Sequence, residues 1–407
     1  QLVDALCEAF AERSIDLCHW KSHDALDRSA QGTNDLDLLI RRSDATRFRG
    51  VLAELGFKRA QVPRAEALPG VEDFLGWDRP SDRLVHVHAH FQLVVGHDRS
   101  KSVRLPIEDA FLDSAVPAPP FRIPTAEFDL VVFVIRMVLK FHTWDAPLVG
   151  PHRLPEASRR ELAWLQQRAD RDGVDAVLEE HLPWLEPSVL HACLAELETG
   201  RPRRLGTSER LLRALAPHTR RSRAADVGLK ITRRVLRGVQ RRLPGGVRRK
   251  RLASGGALLA VVGGDGAGKS TAIEGLESWL SGTLDVRDTH FGRPPWSITT
   301  RVVRATLKIG RLISAPLGVS QPQLTDNGLV PPEFPGYTRL IWGACTARDR
   351  WLAYRRARRF ATNGGLVICD RYPLRGIRQM EGRLVEQMLE TGPNNAFTRW
   401  LARHEHR

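Results

Sequence analysis

The sequence predicts an α/β protein of two modules joined by a helical, strongly basic connector. Residues 257–280 run from an apolar strand through a glycine-rich loop into a helix, and a second apolar strand, Leu366–Cys369, follows further helical sequence. That alternation is expected of a parallel sheet flanked by helices. The first 120 residues mix helical periodicity with short strands of alternating polarity, a smaller α/β pattern. Between the modules, residues 201–251 hold 18 Lys and Arg against two acids, Glu209 and Asp226, a net +16. The whole 407-residue chain carries +15, so the flanking regions together are near neutral. A hydrophobic fraction of 42% with 27% charged residues excludes disordered and fibrous classes.

Taken in order, Leu2–Arg13 has helical spacing and leads to a strand around Leu17–Trp20. A Gly32-Thr33-Asn34 turn precedes the strand Asp35–Ile40, and Ser43 and Asp44 stand at the cap of the next helix. Leu84–Phe91 alternates as a further strand, and the Pro-rich Val116–Pro124 marks the end of a module spanning 1–120. Residues 121–200 read as helical. Their longest apolar run, Phe128–Phe141, is interrupted by Asp129, Arg136 and Lys140. It falls short of the roughly 18–20 uncharged residues that a membrane span needs.

The connector, 201–255, places Val227, Ile231, Val235, Val239 and Leu243 four residues apart. Each step drifts about 40° on a helix, so the five share one broad apolar face. Lys230, Arg233, Arg234, Arg237, Arg241 and Arg242 cover the remainder. Three readings stay open: docking of the apolar face on a neighbouring domain, an anionic membrane surface for 227–243, and nucleic acid. Nucleic acid is the least expected, because the stretch lacks aromatics for stacking. Five scattered cysteines without Cys-x-x-Cys spacing argue against a disulfide framework or a cysteine zinc site. That cysteine usage makes a reducing cytoplasm the simplest compartment, with a membrane-peripheral placement as the option that follows if 227–243 lies on lipid. The start Gln1-Leu2-Val3-Asp4 lacks the basic and apolar segments of a secretory signal.

The most specific pattern is Gly263-Gly264-Asp265-Gly266-Ala267-Gly268-Lys269-Ser270-Thr271, a G-x-x-x-x-G-K-S loop between the strand Ala257–Val262 and a helix through Leu280. Glycines let main-chain amides turn inward around phosphate oxygens, and the helix N-terminus adds partial positive charge. Lys269 suits the β- and γ-phosphates of ATP, and Ser270 suits magnesium.

With Asp265 in the loop, and Asp370-Arg371-Tyr372 after the strand ending at Cys369, residues 256–407 resemble the thymidylate kinase group of P-loop nucleoside monophosphate kinases. The resemblance implies that Asp265 touches the acceptor's sugar hydroxyl. It puts Asp370 at the phosphate–magnesium centre, Arg371 on the acceptor phosphate, and Arg348 or Arg350 as a further phosphate arginine. Three features depart from that family. Phe291-Gly292-Arg293 stands where it has Arg-Glu-Pro-Gly-Gly-Thr, Gln321–Gly336 is an extra Pro-rich stretch, and only 37 residues follow Asp370. The remaining strands and the lid, where a neutralising cation would sit, are expected beyond Arg407. The start, Gln1 rather than Met, likewise reads as that of a fragment.

In the first module, Trp20-Lys21-Ser22 followed by Asp35-Leu36-Asp37 resembles the nucleotidyltransferase superfamily, in which two acids spaced i, i+2 hold a divalent metal. The spacing puts Asp35 and Asp37 on one sheet face. His86, His88 and His90 share a face of their own strand. They either complete a metal site with the aspartates, with His86 in place of a third acid, or form a ladder without metal. The leading expectation is ATP- and magnesium-dependent phosphoryl transfer to a nucleoside monophosphate or similar phosphorylated acceptor. The alternatives are nucleotidyl transfer at Asp35 and Asp37, and a non-catalytic ATP-binding module at a membrane surface.

Overall fold

Alternation along the N-terminal strands puts an apolar layer on each face of a mixed sheet. The computed structural model describes residues 1–63, 66–143, 154–199, 205–242, 249–264, 266–292, 294–314, 337–372, 395–396 and 398–400. The chain divides into two compact units, Gln1–Ser254 and Gly255–Arg407. Both mix helices and strands, so the α/β class holds, with several sheets.

In the first unit α1 (Leu2–Glu12), β1 (Leu17–His19), α2 (Leu26–Ala30), β2 (Leu36–Ile40) and α3 (Ala45–Glu54) come first. Then come β3 (Lys58–Gln61), β4 (Val71–Asp78), β5 (Arg83–His90), β6 (Leu93–Val95), β7 (Val103–Leu105), α4 (Glu108–Asp113), β8 (Val116–Ala118) and β9 (Phe121–Ile123). Helices follow: α5 (Ala126–Phe141), α6 (Glu156–Gln166), α7 (Arg171–His181), α8 (Pro187–Thr199), α9 (Leu205–Ala214) and α10 (Arg223–Arg242), before a short β10 (Arg251–Leu252). Six strands pair in the order β1-β2-β5-β4-β3-β10. The β2–β5 pair is parallel and the rest are antiparallel.

Period-two alternation decides which side chains meet which layer. Leu36, Leu38 and Ile40 join Val3, Leu6 and Phe10 of α1 and Phe48, Val51 and Leu52 of α3 in one core. Leu39 turns the other way and, with Cys18, Trp20 and Leu93, enters a second core built on α5. The run that is too charged to cross a membrane is thus the centre of this core: α5, apolar on most of its circumference, is buried almost all round. The Pro-rich segment forms the β8–β9 hairpin, with Phe121 buried.

The polar residues inside α5 are paired. His23 Nδ1 lies 2.6 Å from Asp129 Oδ2 while its Nε2 lies 2.7 Å from the His19 carbonyl oxygen. Arg136 donates to Glu161 Oε1 at 2.9 Å, and the same oxygen accepts the Ser22 amide at 2.8 Å. Charges are tolerated in such a core only when partnered.

The second unit contains β11 (Ala257–Val261), α11 (Lys269–Leu280), β12 (Val286–His290), α12 (Ile298–Ser314), α13 (Tyr337–Thr362) and β13 (Leu366–Asp370). Its three strands are parallel in the order β11-β13-β12. The middle strand β13 is buried through Cys369 and reads as a continuous apolar run, as parallel strands covered on both faces do. Two glycines let β11 start hard against its neighbour: a Cβ on Gly256 would fall 1.8 Å from the Gly365 carbonyl oxygen. The Gly256 amide donates to the Ala361 carbonyl at 2.8 Å, and from there the register runs Ala257↔Leu366 to Val261↔Asp370. Among the described residues no helix is long and apolar enough to cross a membrane.

Candidate functional site

The chain leaves β11 at Val261 and turns through the glycine loop into α11. Gly266 (φ 83°) and Gly268 (φ 75°) take left-handed conformations that a side chain would strain, and Gly268 is the residue that caps α11. Lys269 opens the helix, and its Nζ donates to the carbonyls of Gly263 (2.9 Å) and Gly264 (2.6 Å), so the ammonium group lies inside the loop. Ser270 and Thr271 follow in the first turn and are exposed, beside helix amides that have no intrahelical acceptor. Asp265 lies outside the described residues.

The Val261↔Asp370 pairing sets Asp370 at the carboxyl end of the sheet next to the loop's origin. Ligands of open parallel sheets gather at this edge. Asp370 Oδ2 lies 3.4 Å from His290 Nε2, whereas Oδ1 is buried without a hydrogen-bond partner. A buried, unsatisfied carboxylate oxygen at the carboxyl edge of a parallel sheet fits a cation ligand. Arg371 has a positive φ of 54°, sparsely populated for a residue with a side chain. Its side chain passes Gly292, where a Cβ would come within 2.9 Å of Arg371 Cδ. Arg350 Nε donates to the Phe291 carbonyl at 3.2 Å, and Arg348 is exposed. Arg293 and the stretch 321–336 lie outside the described residues.

In the first unit the register Leu36↔Val87 and Asp37↔His88 sets Asp37 of β2, and Asp35 just ahead of it, beside the histidines of β5. Asp35 and Asp37 are not left facing one another across a shared gap, because each has its own partners. Asp35 Oδ1 meets His86 Nδ1 at 2.8 Å, and Asp37 Oδ1 meets Lys21 Nζ at 2.8 Å and His88 Nδ1 at 3.0 Å. His90 Nε2 lies 3.4 Å from His88 Nδ1. Burial alone would raise the Asp37 carboxyl. The Lys21 ammonium and the bonds from His88 and His90 outweigh it and hold the group well below the usual carboxylate range. Burial pushes the His90 imidazole down to about 3, so this ring is neutral at ordinary pH.

The sequence reading put His86 in the position of a third acid, and the structure brings a further acid, Asp73, against that histidine. Asp73 on β4 pairs across the ladder with His88 and accepts at Oδ1 from His86 Nε2 (2.7 Å) and Lys250 Nζ (2.6 Å). Burial raises its carboxyl, but the His86 bond and the charges of His88 and Lys250 outweigh that and hold it far below its ordinary value. His86 is therefore clamped between two carboxylates. Its imidazole is favoured in the charged form despite burial. Asp73 could be suspected from Val71-Glu72-Asp73-Phe74, an acid pair in an apolar run. Lys250, 177 residues away, gave no local signal.

The basic helix α10 bears on the three readings left open for it. Within the first unit most of its apolar face is not packed: Ile231, Val235 and Val239 are exposed, Val235 at 58%. Toward the unit it turns Asp226 and Lys230, joined at 2.7 Å, and Arg233, which donates to the Arg99 carbonyl. Amphipathic spacing says that a helix has two faces, but polar partners decide which face docks. Leu243 lies outside the described residues.

Comparison of the chain with protein-family models, with curated proteins and with solved structures gives no match.

Proposed function

We propose that the Gly255–Arg407 unit is a P-loop NTPase core that binds ATP with magnesium. It would transfer the terminal phosphoryl group to a nucleoside monophosphate, thymidylate-like, or a similar phosphorylated acceptor. The observation that carries this reading is the buried, partnerless Oδ1 of Asp370, in register with the strand that feeds the glycine loop. Lys269, already held among loop carbonyls, would exchange them for the β- and γ-phosphate oxygens. Ser270 and Asp370 would hold the metal, which when bound draws charge from the transferring oxygens. Arg371 would clamp the acceptor phosphate and Asp265 its sugar. The work of these residues is positioning and electrostatic stabilisation, and no covalent enzyme intermediate is needed.

Titration calorimetry of the full chain with magnesium and ATP tests this. Heat of binding is expected, followed by ADP release that requires a phosphorylated acceptor. Absence of both would end the proposal. Nucleotidyl transfer at Asp35 and Asp37 has less support, since each carboxylate is engaged by its own histidine. Pyrophosphate release that survives Lys269→Ala but not Asp37→Asn would move the activity there.

The exposed apolar stripe of α10, flanked by arginines, is the form of a helix that lies on anionic lipid, and a cytoplasmic, membrane-peripheral location accompanies the reading. Co-sedimentation with phosphatidylserine vesicles is expected, with none on neutral vesicles. Ile231→Glu with Val235→Glu should weaken it at least tenfold, as two apolar side chains are withdrawn from the acyl boundary.

A further inference from the structure

The face of β2 and β5 that carries the acids and histidines holds a second constellation, which phosphoryl transfer at the glycine loop does not use. Three atoms converge there: Oδ1 of Asp37, Nδ1 of His88 and Nε2 of His90. Their separations are 3.0 Å (Asp37–His88), 3.4 Å (His88–His90) and 3.7 Å (His90–Asp37).

Coordination geometry predicts what such a triangle can hold. Zinc–nitrogen and zinc–oxygen bonds of about 2.0–2.1 Å, arranged tetrahedrally, give ligand–ligand edges of about 3.3–3.4 Å. An octahedron with magnesium arms of the same length has adjacent edges of only about 2.8–3.0 Å. The observed triangle brackets the tetrahedral edge. Donor chemistry points the same way, because two imidazole nitrogens and one carboxylate oxygen suit zinc and its borderline neighbours, whereas magnesium takes oxygen.

The three donors are also held in place. Asp37 and His88 are register partners on adjacent parallel strands, and His90 lies two residues along on the same face. Trp20 packs edge-on against His90, with ring centroids 4.8 Å apart and planes at 66°. Asp37 and His90 are buried, while His88 is partly open to solvent. Lys21 places its ammonium 2.8 Å from the same Asp37 oxygen, where a metal cation would compete with it.

We propose that Asp37, His88 and His90 form a three-ligand site for one zinc-like divalent transition-metal ion, its fourth position left to an exogenous oxygen ligand. Asp35 is outside the triad, so the pair of acids expected from sequence is split. Asp37 serves the metal, and Asp35 belongs to the His86–Asp73–Lys250 ion cluster.

The test uses chelator-treated full-length chain without nucleotide. Zinc bound at equilibrium dialysis is counted, and cobalt(II) is added as a spectroscopic substitute. One zinc per chain is expected, with the intense visible bands of four-coordinate cobalt. Both should weaken at least about 100-fold in His88→Ala and in Asp37→Asn, the latter keeping the shape of the side chain should the buried His90→Ala fail to fold. Lys21→Met removes the competing cation and should tighten binding several-fold, which adventitious binding at surface histidines or thiols would not show. Lys269→Ala should leave it unchanged, so failure here is separable from failure of the ATP proposal. Zinc affinity indifferent to Asp37→Asn and His88→Ala, or only the weak bands of six-coordinate cobalt, would overturn the assignment.

Discussion

Lys269→Ala is expected to lower acceptor-dependent ADP release by about 10²–10³-fold, the loss that follows removal of one preorganised donor from a developing charge. In the structure the ammonium group is not spread over solvent. It is gathered by the carbonyls of Gly263 and Gly264, within the same turn that presents the amides before α11. A polyphosphate entering this loop offers anionic oxygens in place of neutral carbonyls, and charge-assisted bonds are roughly twice as strong as neutral ones. The variant should therefore lose nucleotide affinity as well as turnover. Lys269→Arg should not restore it, because a planar fork does not replace a compact ammonium group in a tight turn. ADP release measured beside thermal melting separates loss of function from loss of fold, and a variant that turns over normally would refute the role given to Lys269.

The second large effect is on stability. His23→Ala should destabilise the first unit by about 3–5 kcal/mol, since it leaves the buried Asp129 carboxylate without its counter-charge. Both ring nitrogens of His23 meet acceptors, Asp129 Oδ2 and the His19 carbonyl, an arrangement that only the doubly protonated ring satisfies. Burial opposes the charge, but Asp129 outweighs it and lifts the imidazole above its ordinary 6.5. A raised native value stabilises the fold fully below the unfolded value and loses that stabilisation as pH climbs through the native one. The urea midpoint should thus decline as pH rises above about 6.5 in the parent and stay flatter in His23→Gln. Replacing both partners by leucine should recover much of the loss, because an apolar pair leaves no charge stranded. Equal midpoints for parent and His23→Ala would exclude the pairing as a stabilising element.

The glycine loop was legible because its signal is contiguous: nine residues, from just past a strand into the first turn of a helix, specify both the turn and the lysine. Asp370 was legible for a related reason, standing at the end of an apolar strand. In the first unit, strand alternation revealed that Asp35 and Asp37 share a face, and likewise the three histidines. It could not say that the acids would be divided between two clusters, since that depends on which strand lies beside β2. Asp73 had only a weak signal, the acid pair Glu72-Asp73, because β4 is buried along most of both sides and shows little alternation to say which face Asp73 takes. Lys250 arrives just ahead of a two-residue edge strand at the end of the first unit. The orientation of α10 was lost for a different reason. Lys230 is buried against Asp226 one turn before it, a pairing that composition reads as surface.

Glu161 bears on how such a chain can be recombined in heredity. One carboxylate oxygen on α6 accepts both from Arg136 on α5 and from the Ser22 amide, next door to the lysine that neutralises Asp37. The sheet and the helices behind it are therefore not interchangeable cassettes. A crossover between them would separate Glu161 from the Arg136 guanidinium or the Ser22 amide, so a substitution at position 161 is felt on two other layers of the fold.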